Sequence, residues 1–141
     1  MANELNHIIV HVKDRHRTAE FLTELTGTGK PVDWGRFTQV TSSNGVGVDF
    51  ADDLVPADAI NGSHLAYLVT DEEFDAILGR ITERGLRYWA DPAHSVEGEI
   101  NTDYGGRGLY TEDPGGTLNL EFMTTPYGDE PAARPAPPSR R

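Results

Sequence analysis

The chain has 141 residues, with 23 acidic side chains, 12 basic ones and no cysteine. This length suits one domain with its own hydrophobic core, and the lack of cysteine excludes disulfides, thiolate metal ligands and a cysteine nucleophile. The formal net charge of -11 argues against nucleic acid as a partner. No apolar run approaches the roughly 20 residues that span a bilayer. We therefore expect a cytoplasmic protein that binds no membrane, with an acidity that serves solubility or a cationic small molecule.

The first predicted strand covers residues 5–12, where the sequence alternates along the chain. Alternation places both histidines of this strand on one face: His7, Ile9 and His11 lie opposite Ile8, Val10 and Val12. Asp14 is positioned to cap a helix over residues 15–26, which Gly27 ends.

A hairpin is predicted next, because the turn residues Asn44 and Gly45 separate strand patterns at 36–42 and 46–51. In the second of these strands the larger apolar side chains alternate with small residues and one carboxylate, Asp49. The apolar set faces the helix, so Asp49 lies on the other face of the sheet.

The same order of elements restarts at residue 64. Residues 64–69 form a predicted strand, and a capping box of Thr70 and Glu73 begins a helix over residues 71–84. Three more strands and a long polar loop complete this half: strands at 86–90, 107–112 and 117–123, and the loop 91–106.

A shift of 57 residues (64 minus 7) aligns the two halves: His7 with His64, Val12 with Val69, Asp14 with Asp71, and Ala19 with Ala76. We predict an α+β fold of two βαβββ modules, about 5–52 and 62–125, that form a curved mixed sheet around a metal or ligand cleft, with helices outside. Both modules belong to a single domain, residues 1–126. The Pro-, Ala- and Arg-rich residues 127–141 are predicted to be a disordered tail.

Polar side chains lie on the strand faces that the helices do not cover: His7, His11, Asp49, His64, Asn119 and Glu121. One histidine at a strand start is usually structural, but two histidines at equivalent positions are better candidates for metal ligands. A glutamate on an apolar strand adds to this, because a charge there is costly unless it is paired or bound to metal. Imidazole and carboxylate together suit Fe(II), Mn(II), Zn(II), Ni(II) or Co(II).

The paired modules, the histidine opening each first strand and the "DP" hairpin before an apolar strand ending in glutamate resemble the vicinal oxygen chelate superfamily. This superfamily includes glyoxalases, bleomycin-resistance proteins and extradiol dioxygenases. The resemblance covers about residues 5–125 and implies metal-facing positions at His7, Asp49, His64 and Glu121. It also implies a substrate chelated through adjacent oxygens. Aspartate is one methylene shorter than the glutamate of four-ligand members, so we expect three ligands, with Asp49 as a substrate contact.

Two details of the resemblance concern the second hairpin. Glu121 follows Asp113 by eight residues where the family has seven, so a longer turn or a bulge must absorb one residue. Tyr110 lies where fosfomycin-resistance enzymes carry a substrate-contacting tyrosine. Their cationic phosphonate-binding loop has no match in the acidic segment 91–106, which argues against an anionic phosphonate substrate.

Three ligands predict a metal-dependent small-molecule enzyme, with Fe(II) dioxygenase chemistry favoured. The alternatives are a glyoxalase-type lyase or isomerase, and a metal-free protein that sequesters a cationic drug. The remaining candidate site residues are two catalytic side chains and three substrate contacts: His11, as a proton shuttle, and Tyr110; Asp49, Arg107 and Asn119. Residues 91–106 are a candidate lid. The resemblance implies a homodimer.

Overall fold

The computed structural model describes residues 2–126, so the predicted tail at 127–141 lies outside the described residues. The chain divides into two units. Within the described residues, module 1 comprises residues 2–63 with the turn Asp113–Leu118, and module 2 comprises His64–Glu112 and residues 119–126.

Module 1 contains one helix and a four-stranded sheet: β1 (His7–His11), α1 (Arg15–Thr26), β2 (Val32–Trp34), β3 (Phe37–Thr41) and β4 (Gly47–Ala51). The sheet order is β1-β4-β3-β2, with β1 parallel to β4 and the other pairs antiparallel. Strand β2 was not predicted. It pairs with β3 through a tight turn at Gly35, whose positive φ of 61° favours glycine.

Helix α1 has the predicted ends. The Asp14 side chain accepts a hydrogen bond from the Arg17 backbone N–H at 3.0 Å, and Gly27 adopts the left-handed conformation at the C-terminus. The helix packs on β3 and β4, and its buried face meets an apolar core. The core of this module includes Val10, Val12, Leu22, Leu25, Val48 and Phe50.

Module 2 contains β5 (Ser63–Leu68), α2 (Asp71–Glu83), β6 (Gly108–Glu112) and β7 (Leu118–Met123). The sheet order is β5-β7-β6, and β6 is antiparallel to β7. Thr70 and Glu73 form the predicted capping box of α2. Single-turn 3₁₀ helices occur at Ala57–Ala59 and Asp103–Gly105.

The predicted strand at 86–90 is wrong. Only Trp89 makes bridges, one to Tyr110 and one to Glu97. The reason is tertiary: the chain turns at Asp91 and folds back, so the ladder to β6 stops after one residue pair.

Both modules nevertheless share one arrangement, in which the first strand lies beside the last strand. The α+β fold and the internal repeat are therefore confirmed, and His7 and His64 lie in the first strands of their modules. Among residues 2–126 no helix is long and apolar enough to cross a membrane.

Candidate metal centre

The centre of the site is a pair formed by His64 and Glu121. His64 lies on the exposed face of β5, and Glu121 lies on the neighbouring strand β7. The His64 Nε2 and Glu121 Oε1 atoms are 3.0 Å apart. The histidine side chain is 37% exposed and the glutamate side chain 3%. A buried carboxylate thus meets an imidazole that solvent can reach.

The position of Glu121 depends on the turn before β7. Asp113 pairs across the hairpin with Leu118, so four residues rather than three form the loop between them. Beyond the loop the register is regular, with Tyr110 opposite Glu121 and Glu112 opposite Asn119. The wider turn therefore absorbs the extra residue, and Glu121 shares a face with His64, as predicted.

Asn119 lies on the same face and links this pair to a residue that the sequence analysis missed. The Asn119 Nδ2 atom is 3.4 Å from His64 Nδ1, and its Oδ1 atom is 3.0 Å from His94 Nε2. The His94 ring stacks on the Trp89 ring, with centroids 3.8 Å apart and planes inclined by 2°. His94 sits in the polar loop, where no periodicity could have identified it.

His7 opens β1 in module 1 and is exposed. Its Nδ1 atom is 2.7 Å from Asn6 Oδ1, so the ring can donate there and keep the Nε2 lone pair available. Gly47 lies opposite His7, and a side chain at that position would come within 3.3 Å of the His7 Cβ.

Two of the three predicted metal ligands, His64 and Glu121, come together in the structure. Among residues 2–126 there is no group of three histidine, aspartate or glutamate side chains that could hold a metal ion. His7 as the third ligand stays a prediction.

Asp49 and His11 also belong to module 1. Asp49 is 2% exposed on β4 and accepts a hydrogen bond from Gln39 Nε2 at 2.6 Å. His11 is half-buried on β1, and its Nδ1 atom has no hydrogen-bond partner within residues 2–126. Their roles as substrate contact and proton shuttle stay predictions.

Tyr110 and Arg107 border a small pocket of module 2 that also includes Glu121. Tyr110 is 3% exposed, and its ring centroid is 6.0 Å from that of His64. All three guanidinium nitrogens of Arg107 donate to α2, at Asp71 and Asp75. The hydrogen bonds to these carboxylates raise the pKa of Arg107, and the bond to Asp75 has the largest effect. These contacts support a structural role for Arg107, in which it binds α2, more directly than a role as a substrate contact.

The first part of the candidate lid is fastened to the module. Asp91 accepts hydrogen bonds from the backbone N–H groups of Ser95 and Val96. The pKa of Asp91 is lowered, chiefly by the hydrogen bond that it accepts from the Ser95 hydroxyl. Arg87 forms two hydrogen bonds with Glu97, each of 2.9 Å. The Asp91 bonds lie within the loop, so of these bonds a hinged movement of residues 91–98 would have to break only the two to Arg87.

The chemistry of the pair fits a divalent metal. Nitrogen and oxygen ligands lie about 2.0–2.2 Å from such a metal, which places neighbouring ligand atoms about 3 Å apart. The separation of 3.0 Å between His64 Nε2 and Glu121 Oε1 matches this spacing. The partly exposed imidazole leaves one side of the pair accessible from solvent.

Comparison with known proteins supports the interpretation of the fold. No protein-family model matches the chain. The solved structure named oxidase ChaP-H1 is 50% identical, with a TM-score of 0.83, over 90% of this chain and 99% of its own. A solved glyoxalase/bleomycin resistance protein from Catenulispora acidiphila is 20% identical, with a TM-score of 0.60, over 87% of this chain and 100% of its own. The latter is a likeness of fold alone.

Among curated proteins, the glutathione transferase FosA of Serratia marcescens is 26% identical over 92 residues. The match covers 63% of this chain and 65% of that relative's length. The repeated modules and these relatives together define a glyoxalase-type fold. The chain belongs to the vicinal oxygen chelate superfamily.

Proposed function

We propose that this protein is a metal-dependent enzyme that acts on a small molecule carrying two adjacent oxygens. The observation that carries the proposal is the buried Glu121 carboxylate, 3.0 Å from the solvent-accessible imidazole of His64. A carboxylate oxygen and an imidazole nitrogen at this separation are a ligand pair that suits a divalent cation.

In this proposal His7, His64 and Glu121 hold the metal. A bound divalent metal would polarise the adjacent oxygens of the substrate. The Tyr110 ring, next to His64, would orient the substrate. Asp49 is held by Gln39 and would contact the substrate rather than the metal. His11 would move a proton through its Nδ1 atom, which has no hydrogen-bond partner within residues 2–126.

The proposed ligand set and the name of one relative support oxygen chemistry with Fe(II) over the lyase alternative. Two histidines and one carboxylate are the ligand set of non-haem Fe(II) oxygenases. The relative that is 50% identical over nearly its whole length is named an oxidase. We therefore propose a dioxygenase or related oxidase activity.

The third ligand has two sources in this proposal, His7 of the same chain or His7 of a second copy in a homodimer. Mixing the variants His7→Ala and Glu121→Ala distinguishes them, because a heterodimer that shares its sites keeps one intact site. Random exchange of subunits would then restore about a quarter of the wild-type metal sites. Exchange would restore none if each chain holds its own metal.

The experiment that tests the function measures oxygen uptake. Protein loaded anaerobically with Fe(II) is mixed with oxygenated buffer and a panel of aromatic ortho-diols and ortho-hydroxyketones. We expect oxygen uptake with at least one of them, and loss of this uptake in Glu121→Gln. Incorporation of labelled oxygen into the product would identify a dioxygenase, and uptake without incorporation would identify an oxidase. His16→Gln is the matched control, since His16 pairs with Asp33 on α1 and β2, outside the proposed site.

Two other results would contradict the proposed chemistry. Oxygen-independent conversion of a hemithioacetal, with no oxygen uptake on any diol, would identify a lyase. Tight binding of a cationic drug by protein that takes up no Fe(II), Mn(II) or Zn(II) would identify a sequestering protein.

A further inference from the structure

A line of four side chains crosses the surface of module 2. It runs from His94 through Asn119 to His64 and ends at Glu121. The three successive separations are 3.0, 3.4 and 3.0 Å. Each inner member of the line contacts both of its neighbours, so the donor and acceptor roles along it are coupled.

Without metal, the donor of each hydrogen bond along the line lies on the His94 side and the acceptor on the Glu121 side. The Glu121 carboxylate only accepts, so His64 carries its ring proton on Nε2 and donates it there. The Nδ1 atom of His64 must then accept, and it faces the Asn119 amide nitrogen. The Asn119 oxygen accepts in turn from His94 Nε2. Both histidines therefore donate through Nε2.

A metal on His64 Nε2 reverses every one of these roles. The ring then needs its proton on Nδ1, and this N–H requires an acceptor. Asn119 can supply one only if its amide turns by half a rotation, which brings its oxygen to His64 and its nitrogen to His94. His94 must accept through Nε2, so its own proton moves to Nδ1.

We propose that Asn119 and His94 are positioning residues that act as a two-state hydrogen-bond switch, with metal binding at His64 reversing the switch. This inference rests on the proposed function, because it requires a metal at His64. It adds two residues, neither of them a metal ligand, that set which nitrogen of His64 is available.

His94 is built to stay in place while the switch operates. Its ring lies flat on Trp89, at 3.8 Å between centroids. Its backbone has a φ of 59°, in the left-handed region that few residues other than glycine adopt, and its N–H donates to the Asp91 carbonyl. The ring therefore offers a fixed Nε2 atom, and only the amide and the ring protons need to change.

The direct test is nitrogen-15 NMR of the histidine rings before and after addition of Zn(II), a diamagnetic probe metal. Long-range proton–nitrogen spectra identify which nitrogen of each ring is protonated. Full-length protein should show His64 and His94 protonated on Nε2 without metal and on Nδ1 with one equivalent of Zn(II). His16, paired with Asp33, serves as the internal control and should not change.

Two outcomes separate this inference from the proposed function. If Zn(II) changes His64 but leaves His94 on Nε2, the switch is refuted and the metal site stands. If Zn(II) changes neither ring and does not bind, the metal site and the switch are refuted together.

A second measurement uses variants of Asn119. Asn119→Leu removes both the donor and the acceptor of the amide but keeps a side chain of similar size, and it should weaken Zn(II) binding about 10–100-fold. Asn119→Asp can only accept from His64, as the metal-bound state requires, and should bind Zn(II) at least as tightly as wild type. His16→Gln should bind like wild type. Binding within about threefold of wild type by a folded Asn119→Leu would overturn the role of the amide.

Discussion

Removal of the Asp113 side chain should cost more stability than loss of any other single hydrogen-bonding group described above. Asp113 is 3% exposed. Its Oδ1 accepts from the backbone N–H groups of Thr117 and Leu118 at 3.0 and 2.9 Å, and its Oδ2 accepts from the Thr18 hydroxyl at 2.7 Å. These bonds hold the wide turn that brings Glu121 into register.

The magnitude follows from these three bonds. A hydrogen bond to a charged group contributes about 1.5–3 kcal/mol, and bonds to one carboxylate are not additive. We expect Asp113→Ala to lower the free energy of unfolding by about 3–5 kcal/mol. In Asp113→Asn the amide oxygen can still accept from both backbone groups and the amide nitrogen can donate to Thr18. This variant should cost about 1 kcal/mol, and Thr18→Val about 1–2 kcal/mol.

The assay is urea unfolding followed by circular dichroism and tryptophan fluorescence, with linear extrapolation to water. The order of stability should be wild type, Asp113→Asn, Thr18→Val and Asp113→Ala. A free energy of unfolding for Asp113→Ala within about 1 kcal/mol of wild type, or a loss in Asp113→Asn as large as in Asp113→Ala, would show that these bonds do not hold the turn.

Three further predictions concern module 2. Burial raises the pKa of Tyr67 to about 12, so this tyrosine ionises at lower pH in the unfolded chain and wild type should lose stability above about pH 10. Tyr67→Phe removes a hydroxyl with no partner in the described chain. This variant should lack that part of the loss in urea titrations at pH 7–11. Thr70 holds the pKa of Glu73 below its usual value, so the destabilisation by Glu73→Ala, about 0.5 kcal/mol at pH 7, should fade as pH falls through that lowered pKa. Arg107→Met should lower stability by about 1 kcal/mol and leave Zn(II) affinity unchanged.

Local signals predicted much of the fold because they act within a few residues of the chain. Asp14 and Gly27 mark the ends of α1 through bonds to their own helix. Thr70 and Glu73 do the same for the start of α2. The repeat of a histidine at the start of a strand identified the two modules.

The features that were missed depend on distant partners. Strand β2 has three residues, all exposed, so it shows no alternation of burial. The apolar run at 86–90 is typical of a strand, but the loop folds back on it and leaves only the bridges of Trp89. His94 meets Asn119 from 25 positions away, a contact that no local pattern predicts.

The candidate site was predicted in part for the same reason. Strand alternation correctly placed His64, Asn119 and Glu121 on one face. The spacing from Asp113 did not determine on which face of the sheet Glu121 lies. The geometry of the wide turn places it on the His64 face. Arg107 was predicted as a substrate contact, and its bonds to α2 depend on tertiary packing that no local pattern predicts.

The most direct test of the central claim is the number of metal ions bound per chain after anaerobic loading with Fe(II) and removal of excess metal. We expect one ion per chain in wild type, and loss of this ion in His64→Gln and Glu121→Gln while His16→Gln retains it. Wild-type protein that stays free of metal after separate loading with Fe(II), Mn(II) and Zn(II) would contradict a metal site at His64 and Glu121.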